Sequence, residues 1–132
     1  MPHIDLGLVV RDIDAVLPFY RDAVGLPVLF DFAIPGGDSH MWQLAVGESV
    51  LKLVTHGTPP EAANPPGGMA AATGLRYFTI GTDDIEAAVA TCEAAGAPIP
   101  LPVTALMPGI RIAMVEDPEG NVLEFLETKP KS

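Results

Sequence analysis

The feature that most constrains this chain is that its pattern is written twice. The stretch DIDAV at 12–16 aligns with DIEAA at 84–88, an offset of 84 − 12 = 72, and the same offset sets Leu51-Lys52-Leu53 over Leu123-Glu124-Phe125. Each copy opens on an apolar run, Ile4 to Val10 and then Leu75 to Ile80, and meets an Asp suited to cap a helix. The helices are predicted from Asp12 to about Val24 and from Asp83 or Asp84 through IEAAVATCEAA, with Gly25 and Gly96 as stops. Pro18 removes a backbone donor from the first helix and is expected to kink or delay it. A strand follows each stop, around Val28 to Phe32 and around Pro98 to Leu101, and then a hairpin. The hairpins are MWQLAVGESVLKLV, turning near Gly47-Glu48, and IRIAMVEDPEGNVLEFLE, turning at Asp117 to Asn121.

Two β-α-β-β-β modules result, an α+β architecture. One helix covers only one face of a four-stranded sheet, so two such sheets are expected to wrap a cup between their remaining faces. At 132 residues the chain suits one domain, with module one at 1–56, a Pro/Gly-rich linker at 57–73 and module two at 74–132. Whether the segment THGTPPEAANPPGGMAAATG, residues 55–74, closes over the cup or hangs free is open at this level.

Charge removes several function classes. Seventeen acidic against seven basic side chains give a net charge of −10, which repels nucleic-acid phosphates and anionic membrane surfaces. With 48% hydrophobic residues the chain is too apolar for disorder, yet no run approaches the ~18 apolar residues of a membrane span. The N-terminus MPHIDLGLVVRDID lacks the basic and apolar regions of a secretion signal, so a cytoplasmic location is expected. Cys92, the one cysteine, has no intrachain disulfide partner and reads as a buried, inert thiol on the second helix.

Three segments, LVVRDIDAVLPFYRDAVGLPV, IGTDDIEAAVATCEAAGAPI and EDPEGNVLEFLE, resemble the vicinal-oxygen-chelate superfamily of glyoxalases, bleomycin-resistance proteins and dioxygenases. The resemblance covers nearly the whole chain and implies a cup with four inward positions that hold a divalent metal in the family's metalloenzymes. Here those positions carry Asp5, Lys52, Tyr77 and Glu124. Only Glu124 matches the family pattern, and a Lys ammonium competes for the metal's own place. The expectation is therefore no metal cofactor; the fallback ligand set, if one is bound, is Glu124, Asp5 and His3. Strand alternation agrees with this placement, since Leu6, Leu8, Leu51, Leu53, Phe78, Ile80, Leu123 and Phe125 then form the apolar faces under the helices.

Buried charges need partners, so Lys52 is expected to contact Asp5 or Glu124. Two carboxylates, an ammonium and a phenol in one pocket suit proton transfer on a carbonyl substrate, as in an isomerase, epimerase or lyase, with all four as catalytic candidates. His40, Trp42, Arg111 and Met114 are candidate substrate contacts, and Phe30, Phe32, Met41 and Met107 are further candidates for a wall around Trp42. The alternatives are a non-catalytic drug- or metabolite-binding protein of the bleomycin-resistance kind, a glyoxalase-type metalloenzyme, and a fold used only for interaction. The expected partners are a small molecule and, by family resemblance, a second copy of the chain.

Overall fold

The computed structural model describes residues 2–129. Module one runs β1 (Leu6–Val9), α1 (Ile13–Pro18), a π-helical turn (Phe19–Ala23), β2 (Val28–Ala33), β3 (His40–Val46) and β4 (Ser49–Thr55). Module two has a short 3-10 turn (Gly68–Ala70), then β5 (Tyr77–Gly81), α2 (Ile85–Ala94), β6 (Leu101–Met107), β7 (Ile110–Glu116) and β8 (Val122–Thr128). Each makes one four-stranded sheet, ordered β1-β4-β3-β2 and β5-β8-β7-β6. The first strand of each module pairs parallel with the last, and the other pairings are antiparallel. The α+β class and the two β-α-β-β-β units thus follow the repeat.

Both helices start where an Asp side chain can accept a first-turn amide. Asp12 takes the Asp14 N–H at 3.1 Å and Asp84 takes the Ala87 N–H at 3.1 Å, which satisfies donors with no partner inside the helix. Pro18 acts later than expected. The helix begins on time, but Pro18 cannot donate to Asp14, and beyond it the chain widens into the π-turn closed by Val24 N–H to Phe19 O at 2.9 Å. At the end of α2, Gly96 at φ +89° lets its own N–H reach Glu93 O and the Ala97 N–H reach Cys92 O.

One strand starts later than its sequence pattern. The sequence pattern sets the second module's strand around Pro98 to Leu101, whereas β6 begins at Leu101. Pro98 and Pro100 have no N–H for a ladder, and Pro98 contributes only its carbonyl, to Glu116 N–H at 3.0 Å.

The alternation of β4 and β8 decides the cores. Leu51 and Leu53 are 1% and 0% exposed and pack with Val16, Phe19 and Tyr20, the last two rings edge-to-face at 5.0 Å. In module two Leu123 and Phe125 are buried with Ile80, Ile85, Val89 and Cys92. Each such side chain contributes about 1.5–3 kcal/mol through removal from water. Burial also pushes the Cys92 thiol up to about 11, so it stays protonated and unreactive at neutral pH.

The chain divides into two compact units between Ala63 and Asn64, inside the Pro/Gly-rich segment. Each half of that segment is tied to its own module by one arginine. Arg11 Nη2 donates to Pro60 O at 2.9 Å and Glu61 O at 2.6 Å. Arg76 donates to Asn64 Oδ1 at 2.8 Å, Pro65 O at 2.9 Å and Gly68 O at 2.8 Å, and Asn64 reaches Asn121 at 3.1 Å. The segment therefore does not hang free. Arg76→Ala is expected to speed proteolytic cleavage between Asn64 and Ala70 by about tenfold, the value of one to two net hydrogen bonds, with little change in global Tm. An unchanged cleavage rate in limited proteolysis would mean that these bonds do not hold the segment.

Candidate functional site

Residues paired in register across a sheet point to the same side, so the strand pairings sort every candidate by face. In module one Lys52 lies between Gly7 of β1 and Gln43 of β3. Its neighbours Leu51 and Leu53 face the core, which sends Lys52 to the face away from α1. On that same face Phe30 is opposite Gln43 and Phe32 is opposite Met41, and the two Phe rings stack at 5.7 Å and 24°. Phe30 is 53% exposed. Farther along, Ser39 Oγ lies 2.6 Å from His56 Nδ1.

Asp5 does not pair with Lys52. Among the described residues of its own module Lys52 has no ion-pair partner, while Asp5 Oδ1 accepts the Val50 N–H at 2.9 Å and lies 3.4 Å from His3 Nε2. The register explains this: Gly7, not Asp5, is opposite Lys52, and Asp5 sits just before β1, beside the start of β4.

Trp42 and His40 belong to the other face. Trp42 is opposite Leu53 and Asp31, and His40 bonds Asp31 Oδ1 at 2.7 Å with its ring 4.4 Å from Trp42. Met41 and Trp42 are consecutive in a strand, so they cannot line one wall. Of the proposed wall, Met41, Phe30 and Phe32 share the side of Lys52, and Trp42 and His40 do not.

In module two Glu124 lies between Thr79 of β5 and Met114 of β7. Thr79 Oγ1 donates to Glu124 Oε1 at 2.7 Å, which fixes the carboxylate and leaves its second oxygen free of protein donors among the described residues. Tyr77 follows on the same face, opposite Val122 and 47% exposed, and Met114 is 8% exposed beside Glu124. Thr79 and Gln43 are the residues that sequence reasoning missed. Both were accessible: Thr79 is two residues from Tyr77 on one strand face, and Gln43 is the hairpin partner of Lys52 across the Gly47-Glu48 turn.

Arg111 departs from its expected place. It is opposite Glu127 and Ala105, on the helix side of the sheet. Its Nη2 and Nε donate to Glu127 Oε1 at 2.8 and 3.1 Å, and its Nη1 donates to Glu86 Oε1 at 2.7 Å. Glu127 is 1% exposed and also accepts the Ile85 N–H at 2.9 Å, so it anchors the first turn of α2. The Ile85 amide first, and then Arg111, hold the Glu127 carboxyl below the usual carboxylate range. This network stabilises module two; it does not face the side of Glu124.

The donor set does not fit a divalent-metal centre of the kind the fold would carry. One of the four positions is an ammonium, one is a phenol, Asp5 is engaged by a backbone amide, and Glu124 is engaged by a hydroxyl. Among the described residues no three of His, Cys, Asp and Glu form a group able to hold a metal ion. Of the fallback ligands, His3 neighbours Asp5 in module one, and Glu124 lies in module two.

Two β-α-β-β-β modules, each displaying polar groups on the sheet face away from its helix, define a class of α+β folds built from a repeated module. The family model of the Glyoxalase/Bleomycin resistance protein/Dioxygenase superfamily matches residues 1–125, and the chain belongs to that superfamily. It is similar to a glyoxalase family protein from Bacillus cereus, at TM-score 0.82 and 19% identity over 96% of this chain and 93% of that one. TioX from Micromonospora sp. ML1 shares 22% identity at TM-score 0.71, covering 98% of this chain and all of its own, 100%. A glyoxylase/bleomycin resistance protein/dioxygenase domain from Frankia sp. EAN1pec aligns at TM-score 0.73 and 16% identity over 100% and 96% of the two chains. At these identities the likenesses concern the fold. No curated protein matches the chain. Among the described residues, no helix is long and apolar enough to cross a membrane.

Proposed function

We propose that this chain binds a small carbonyl compound and moves a proton on it without a divalent metal, as an isomerase, epimerase or lyase. The observation that carries the proposal is the residue set in the superfamily's ligand positions: an ammonium without an ion-pair partner in its own module, and a carboxylate held by Thr79 with its second oxygen open. In module one Lys52 offers a positive charge suited to a developing oxyanion; in module two Glu124 offers a base that Thr79 orients, and Tyr77 a phenol donor.

The reaction class is read by proton exchange. Small 2-oxo and 3-oxo acids, their thioesters and hydroxy ketones are incubated with the protein in D₂O with a chelator present, and loss of the α-proton signal is followed by NMR. Exchange above the uncatalysed rate is the expected result. Exchange that appears only after Zn, Ni, Mn or Fe is restored defeats the proposal. By resemblance to the superfamily we also propose that the chain is a homodimer, which light scattering measures directly.

One observation favours a second reading. The exposed Phe30, stacked on the half-buried Phe32 with Met41 beside it, forms an apolar platform on the face of Lys52, suited to a flat aromatic molecule. Tight binding of such a molecule, recovered unchanged, would make the protein a sequestering one.

A further inference from the structure

The face of module one that carries Lys52 presents successive rows of side chains, two residues apart along its strands. The first row is Gly7, Lys52, Gln43 and Phe30, and the second is Val9, Val54, Met41 and Phe32. One step further His56 and Ser39 meet, with Ser39 Oγ 2.6 Å from His56 Nδ1.

The rows differ in chemistry. Gln43 Nε2 turns along its own strand to Met41 Sδ at 3.4 Å, and Asp5 is held by the Val50 N–H, so Lys52 keeps no ion-pair partner among the described residues of its module. An ammonium left in that state, in a chain of net charge −10, selects an anion. Phe30, 53% exposed and stacked on Phe32 at 5.7 Å, selects a flat aromatic body. At the far end the half-buried Ser39 and His56 bond each other and offer further hydrogen-bonding capacity, since a hydroxyl has two acceptor lone pairs and an imidazole has a second nitrogen. Asp38 lies against Gly57 there, where a Cβ would overlap its carboxylate, so this end disfavours a second negative charge and suits a neutral hydroxyl. From Lys52 to His56 the strand rises about 13 Å, at ~3.3 Å per residue, which is room for two fused rings with a polar group at each end.

We propose that this face takes a flat aromatic monoanion, with a carboxylate at Lys52, rings over Phe30, Phe32 and Met41, and a hydroxyl at the Ser39 and His56 pair. The inference rests on the reading of Lys52 as a group that meets substrate oxygen, and it names the class of molecule that Lys52 meets.

The test is a titration of 6-hydroxy-2-naphthoate into protein carrying ¹³C-methyl methionine, with 2-naphthoate, 6-hydroxy-2-naphthamide and 2,6-naphthalenedicarboxylate as comparisons. A saturable shift at Met41 and an affinity above all three comparisons are the expected result. Lys52→Met weakens the hydroxynaphthoate about three- to fivefold and the naphthamide by less, as a partly exposed charge pair requires. Phe30→Ala weakens every probe about fivefold. Ser39→Ala combined with His56→Leu removes the advantage of the hydroxynaphthoate over 2-naphthoate. Equal affinity for the naphthamide, absence of a Met41 shift, or an unchanged affinity in Lys52→Met overturns the proposal. None of these probes has an exchangeable α-proton, so binding is scored apart from chemistry. Exchange on small oxo acids without naphthoate binding overturns the aromatic class alone. Naphthoate binding without exchange on any oxo acid supports the class and removes proton transfer.

Discussion

Glu127→Ala is expected to lower Tm on the order of 10 °C, more than any single substitution on the faces away from the helices. The carboxylate is 1% exposed and answers three groups at once: two Arg111 donors and the first amide of α2, with Lys129 Nζ at 3.7 Å. Its removal leaves Arg111 with Glu86 alone and leaves the Ile85 N–H without an acceptor. Arg111→Met is expected to be comparably damaging, because a buried carboxylate then loses its main counter-charge. The double variant Glu127→Leu with Arg111→Met should be milder than the sum of the two single changes, since it removes the charges together. Additive losses in thermal unfolding would show that the two groups act separately.

The same network predicts a pH signature. The folded-state value for Glu127 lies below its ordinary 4.5, so its contribution is present above the unfolded value and is lost as pH falls through the folded one. Between pH 5 and pH 3 the stability of Glu127→Gln is therefore expected to fall less steeply than that of the native chain. Equal slopes would detach Glu127 from acid unfolding.

The sequence repeat exposed the fold because both modules use the same local devices. Asp12 and Asp84 cap, Gly25 and Gly96 stop, and the two hairpins turn at Gly47-Glu48 and Asp117 to Asn121, so local chemistry and global topology agree. Facing directions were legible too, but only through hairpin register. With Val46 opposite Ser49, Lys52 must be opposite Gln43 and Trp42 must be opposite Leu53, which moves Trp42 to the core side. The five-residue turn of the second hairpin likewise puts Arg111 opposite Glu127 and Met114 opposite Glu124. What stayed out of reach depends on distant or irregular structure. The bulges in β2 and β6 shift register without a residue signal, and Arg11 meets its carbonyls 49 and 50 residues away. No local pattern encodes such a bond.

Lys52→Met is expected to cut proton exchange by about 10² or more while leaving Tm level or slightly raised. The two readouts separate because of where Lys52 sits. It is half-buried beside Gly7 and Gln43, and no ion pair within its module is lost when the charge goes, so an apolar side chain of similar length is tolerated or preferred. An ammonium that brings no ion pair to its own module is free for the role proposed for Lys52. Glu124→Gln should behave alike, losing the base but keeping an acceptor for the Thr79 hydroxyl 2.7 Å away. Thr79→Val, which frees the carboxylate to rotate, should cost about tenfold in exchange rate. If Lys52→Met and Glu124→Gln both exchange at the native rate, these positions are filling and the proton-transfer reading is lost. If instead exchange falls only in step with Tm, the residues support the fold and the chemistry lies elsewhere on the sheet.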